Sequence, residues 1–111
     1  MSDRLRARFA PRYDAAFSRY LSRPGEAGLA DAYEIGRSAV AAGLSLLDLS
    51  AMHHAALLRE LRAAGRPEHL GRVTGAASAF FGEVLATFEM ARRGFLEAVG
   101  GGDPAPPAAG G

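Results

Sequence analysis

The sequence predicts an all-α fold: an antiparallel four-helix bundle with a long C-terminal helix, paired with a second copy as a dimer. Three observations carry this reading. No stretch of useful length alternates apolar and polar residues with period two. Apolar residues instead recur at threes and fours, in a chain dominated by alanine, leucine, glutamate and arginine. Short breaks rich in glycine and proline divide the chain into four such stretches, and short breaks make consecutive helices antiparallel neighbours. With 111 residues, 49% of them hydrophobic, the chain forms one domain with a packed core.

The first helix carries Leu5, Phe9, Tyr13, Phe17, Tyr20 and Leu21 on one face. Pro11 lies within it, so either the regular helix begins there, where a missing N–H costs little, or a longer helix kinks. "SRPGEAG" at residues 22–28 breaks the chain. The second helix, about Glu26 to Ala42, is expected to bury Leu29, Tyr33, Ile35 and Val40, and Gly43 suits its C-terminus. The third opens at Ser45, which forms a capping-box-like pair with Asp48, and closes at Gly65. Pro67 fits the first turn of the fourth, which runs to about Val99. Residues 1–99 thus make the bundle, and "GGGDPAPPAAGG" at 100–111 reads as a flexible linker or tail.

The fourth helix is the odd element. At ~1.5 Å per residue it spans about 50 Å, against roughly 25–30 Å for the second and third. Leu70, Val73, Ala77, Phe80, Val84, Phe88, Ala91 and Phe95 follow a near-heptad along it. Its excess length is expected to leave Phe88 and Phe95 uncovered, which points to a second chain; the alternative is a helix broken at Gly82 or Gly94 that folds back. The opposite face is a strip of small residues: Gly71, Gly75, Ala79, Gly82 and Ala86. A glycine inside a helix costs about 1 kcal/mol relative to alanine, so three of them call for a close-approaching backbone. That backbone belongs either to helix 1 or 2 of the same chain or to another molecule. Ala79, Phe88 and Phe95 are the candidate dimer contacts.

Composition excludes several functions. There is no cysteine, which removes disulfides, thiolate nucleophiles and cysteine-ligated zinc. Thirteen basic and 12 acidic residues leave a net charge of +1, with no strong pull toward nucleic acid or anionic lipid. All the basic residues are arginine, and the cluster Arg4, Arg6, Arg8 and Arg12 reads as a solvated helix face rather than a transit or nucleic-acid segment. No apolar run approaches the ~18 residues of a membrane span, so a cytoplasmic protein is expected.

The adjacent pair His53 and His54 invites a catalytic reading. Adjacent helical residues point about 100° apart, so the two rings flank the leucine stripe on opposite sides and do not share a metal. Neither has an acidic or histidine partner one turn away. One ring is expected to be a packed, hydrogen-bonded bundle residue and the other the edge of the core. The rival is a phosphoacceptor histidine, which needs a solvent-facing imidazole and a nearby cation such as Arg59. His69 adds no motif. Met52 falls on the polar side of its helix, where an exposed methionine suits a contact surface. No catalytic constellation, cofactor site or metal site is assembled.

Residues 18–61, "SRYLSRPGEAGLADAYEIGRSAVAAGLSLLDLSAMHHAALLREL", with "FFGEVLATFEMARRGFLEA" at 80–98, resemble the N-terminal domain of RsbU-type phosphatases, related domains of which precede bacterial sensor histidine kinases. The resemblance rests on "AYEIGR" (32–37), "LSLLDL…HH" (44–54) and "FEMARRGF" (88–95). It implies a non-catalytic, usually dimeric four-helix bundle that docks an RsbT-like switch kinase and regulates an attached phosphatase. Glu26 matches an acidic kinase-contacting position. Gly82 and Ala86 stand where the best-known member has branched apolar residues, which leaves a flatter surface open to a different kinase or a second copy. With Ala30 and Met52 these complete the candidate partner surface: Glu26, Ala30, Met52, Gly82 and Ala86. The function expected is regulatory docking and dimerisation in partner-switching or two-component signalling. The alternatives are a histidine phosphotransfer-like bundle and a small helical accessory protein with an unrelated partner.

Overall fold

The computed structural model describes residues 2–101, with side chains for residues 4–98. The tail at 102–111 lies outside the described residues. Four helices follow in order: α1 (Ser2–Ser22), α2 (Glu26–Ala42), α3 (Leu46–Ala64) and α4 (Pro67–Gly101). Among the described residues there is no strand.

Short-range signals set the helix ends. Ser45 is extended and caps α3: its hydroxyl accepts from the Asp48 N–H at 3.1 Å while the Asp48 carboxylate accepts from the Ser45 N–H at 2.9 Å. Two orphan donors are satisfied reciprocally, so aspartate serves in place of glutamate. Gly43, at φ 84°, turns α2 off: its N–H bonds to the Val40 carbonyl, and the Leu44 N–H reaches back to Ala39. This is a Schellman closure, and the buried Leu44 side chain anchors it. Gly65, at φ 74°, ends α3 two residues before Pro67 opens α4.

Pro11 neither starts nor ends a helix, for α1 is continuous through it. Pro11 and Ala7, whose carbonyl loses its partner, are both exposed, so water can serve that carbonyl. α4 likewise continues through Gly82 and Gly94 and does not fold back.

Consecutive helices run antiparallel. α1 lies beside α2 and α3, and α4 beside both as well, leaving α2 and α3 across the diagonal. α2 and α4 pack most intimately and run in the same direction: Gly36 faces Val84–Phe88, while Val40 and Gly43 share a groove with Phe88–Leu96. The core centres on Phe80, whose ring lies 5.5 Å from Tyr13, 5.3 Å from Phe17 and 5.7 Å from Tyr20. Tyr13, Phe17, Ile35, Leu49, Phe80 and Val84 are fully enclosed.

Three packing expectations are overturned. Tyr33 is 43% exposed, because α2 buries a face of small residues, Gly28, Ala32, Gly36 and Ala39, around Ile35. Met52 is 3% exposed and belongs to the core, whereas Leu47 and Leu58 face outward, so the buried stripe of α3 is rotated toward Met52. Phe88 is 3% exposed, covered where α2 and the α2–α3 turn reach it.

Candidate functional site

The histidines separate as their angular spacing requires. His53 points inward from α3 and ties three helices together. Its Nδ1 lies 2.8 Å from the Tyr13 hydroxyl of α1, and its ring stacks on Phe81 of α4 at 4.0 Å and 3°. Either ring tautomer satisfies the bond: with the proton on Nε2 the phenol donates, and with it on Nδ1 the phenol oxygen accepts. Burial disfavours the charged imidazole and, with some help from neighbouring His54, lowers the His53 pKa to about 4. Burial likewise pushes the Tyr13 pKa up, with Asp14 adding to it. Both groups therefore stay neutral near pH 7.

His54 is exposed, but the cation that a phosphohistidine would use is committed elsewhere: Arg59 pairs with Asp14 at 3.0 Å. His69 lies in the first turn of α4 and lines a small pocket of mixed character with Glu60, Arg72, Leu21 and Val73. Among the described residues no cluster of three His, Cys, Asp or Glu side chains could hold a metal ion.

Surface rather than cavity is what the remaining candidates share. Glu26, Ala30, Gly82 and Ala86 are all exposed, on the outer faces of α2 and α4, the two helices that pack most closely. Met52 is not part of this surface, being enclosed in the core. Along α4, Gly71, Gly75, Ala79, Gly82 and Ala86 are exposed, and a Cβ added to any of the three glycines would meet nothing within 4 Å. Neither helix 1 nor helix 2 lies on this strip. Its three glycines carry their propensity cost on an open face.

Of the dimer candidates, Ala79 lies on that strip and Phe95 is 58% exposed, while Phe88 is occupied inside the bundle. Phe95 belongs to an apolar corner with Leu96, 54% exposed, and Leu46 and Leu47 at the start of α3, 44% and 80% exposed. α2 ends at Ala42, six residues beyond Gly36, whereas α4 runs on thirteen residues beyond Phe88, so its last turns outrun their neighbour.

Residues 11–91 match the family described as phosphoserine phosphatase RsbU, N-terminal domain. The chain belongs to the RsbU N-terminal domain family. No curated protein and no solved structure matches it. The domain that defines this family is a regulatory N-terminal domain of partner-switching phosphatases, separate from their catalytic part. None of the described helices is long and apolar enough to cross a membrane.

Sequence reasoning missed the two glycines of this RsbU-type bundle that matter for packing. A Cβ on Gly36 would stand 2.7 Å from the Val84 carbonyl oxygen, and one on Gly28 would overlap the Tyr20 ring. The signal was present in α2, as small residues at Gly28, Ala32, Gly36 and Ala39, in steps of four, four and three that keep them on one helix face.

Proposed function

We propose that this RsbU-type domain is a cytoplasmic docking and dimerisation module without catalytic activity of its own. It receives an RsbT-like switch kinase, or another signalling protein, on the outer face of α2 and α4 around Glu26, Ala30, Gly82 and Ala86. It passes the state of that contact to an attached phosphatase or kinase. The observation that supports this most is the open glycine strip of α4. A helix face that gives up stability and is left clear of side chains suits a surface that another backbone must approach closely. Ala79 on the strip and Phe95 at the apolar corner are the contacts assigned to the second copy.

The test is association. Light scattering of the purified chain should give a dimer at micromolar concentration, and pull-down from the native host should capture a kinase. Gly82→Leu should weaken capture of the partner, and Phe95→Ala should weaken the dimer, each with the helical content unchanged. A strict monomer, or partner capture indifferent to Gly82→Leu, refutes the corresponding half.

A further inference from the structure

The charge of the chain is balanced in sum and unbalanced in space. Arg4, Arg8, Arg12, Arg19 and Arg23 follow at steps of four, four, seven and four, which at 3.6 residues per turn gathers them on one side of α1 and its C-terminal extension. All five are exposed. Asp14 is turned toward α3, where it pairs with Arg59. Among the described residues Arg19 pairs with Asp31, and no carboxylate pairs with Arg4, Arg8, Arg12 or Arg23. Like charges one turn apart disfavour a helix, so folding alone does not select this pattern.

The C-terminal half of the row borders a groove of about 630 Å³ between α1 and α2. Its floor is made of small residues, Ala15, Ala27 and Gly28; Arg19 and Arg23 stand on its α1 side, and Asp31 on its α2 side takes up Arg19, which leaves Arg23, among the described residues, as the groove's uncompensated cation. Small residues also interleave the upper row at Ala7 and Pro11. This combination selects among anionic partners. A membrane surface needs large apolar side chains free to insert beside the arginines; Leu5 and Phe9 border this row, but both pack against the core, and the Arg12 guanidinium lies over the Phe9 ring. Single-stranded nucleic acid needs exposed aromatic rings for stacking, whereas Phe9, the ring beside this row, packs on the core with Arg12 over it, and a net charge of +1 gives little long-range pull on a duplex. A shallow apolar floor beside a row of guanidinium groups matches a helix with a narrow apolar ridge flanked by glutamate or aspartate.

We propose that the α1 face and the α1–α2 groove dock an acidic amphipathic helix of a partner protein. This surface is distinct from the α2–α4 face and stands or falls independently of it.

The test uses the full chain and a fluorescent 21-residue probe helix with alanine and leucine on one side and glutamate on the other. Anisotropy should report binding that weakens as salt is raised. The double variant Arg8→Glu with Arg23→Glu should lose about tenfold or more in affinity. Arg8→Glu, standing between Arg4 and Arg12, removes like-charge repulsion and should leave the thermal midpoint unchanged or raised, which separates lost docking from lost folding. Arg8→Gln with Arg23→Gln serves if the charge reversal perturbs the helix. A control double variant on other faces, Arg62→Glu with Arg72→Glu, should bind as the parent does. Absence of probe binding, equal loss in the control, or tighter binding of a duplex oligonucleotide or of phosphatidylserine vesicles overturns the proposal.

Discussion

Two glycine-to-alanine substitutions, chemically identical, should move stability in opposite directions. At Gly36 the new methyl carbon would sit 2.7 Å from the Val84 carbonyl oxygen, 2.8 Å from Thr87 Cβ and 3.0 Å from the Phe88 nitrogen. Two of these are backbone atoms of α4 and have no rotamer by which to escape, so α2 must back away along its closest contact. Overpacking costs about 1–3 kcal/mol, and contacts on unyielding backbone place this site in the upper half of that range, about 2–3 kcal/mol; the better helix propensity of alanine returns about 1 kcal/mol. The expected net loss is about 1–2 kcal/mol. At Gly82 nothing lies within 4 Å of the added carbon, so only the propensity gain of about 1 kcal/mol remains. The two variants should therefore differ by about 2–3 kcal/mol, which at a urea dependence of about 1–2 kcal/mol per molar separates their midpoints by about 1–3 M. Urea unfolding followed by far-UV circular dichroism measures this, at protein concentrations low enough that association does not contribute. A Gly36→Ala variant as stable as the parent would mean that α2 and α4 do not touch there. A destabilised Gly82→Ala monomer would mean that the open strip of α4 is covered by its own chain. Either result refutes the packing described above.

Further outcomes follow from the core and the caps. Because His53 titrates at about 4 when folded and near 6.5 when unfolded, the unfolded chain binds more protons between those values. Stability contributed by the neutral ring is therefore full above pH 6.5 and is lost as pH falls toward 4; the bare shift corresponds to about 3 kcal/mol, and solvent access at the ring's edge reduces this to about 2 kcal/mol. His53→Gln should flatten that part of the pH–stability curve, and a slope unchanged by the substitution counts against a neutral buried ring. Phe80→Ala removes the ring on which Tyr13, Phe17 and Tyr20 converge and should cost about 3–5 kcal/mol, read as a lowered unfolding midpoint. Ser45→Ala removes one half of the α3 capping box and should cost about 1 kcal/mol, while Thr74→Ala, on the exposed side of α4, should stay within about 0.5 kcal/mol.

What the sequence by itself determined were the features governed by neighbours in the chain. Ser45 with Asp48, Gly43, Gly65 and Pro67 mark helix ends because a cap needs only the few backbone groups beside it. The apolar row from Tyr13 to Leu21 and the spine Val73, Ala77, Phe80, Val84 were also legible, since large residues at threes and fours admit one buried face. The inward turn of one histidine and the outward turn of the other followed from the 100° between adjacent residues. What only the tertiary structure decided was which other helix covers each face. Met52 is enclosed and Leu47 is not, Phe88 is covered and Phe95 is not, and the glycines of α2 are pressed against neighbours while those of α4 face open space. Periodicity assigns residues to a face, but it does not say how close the next helix comes or where that helix stops. Those distances are set jointly by all four helices, and they decide which small residues are contacts and which are left as surface.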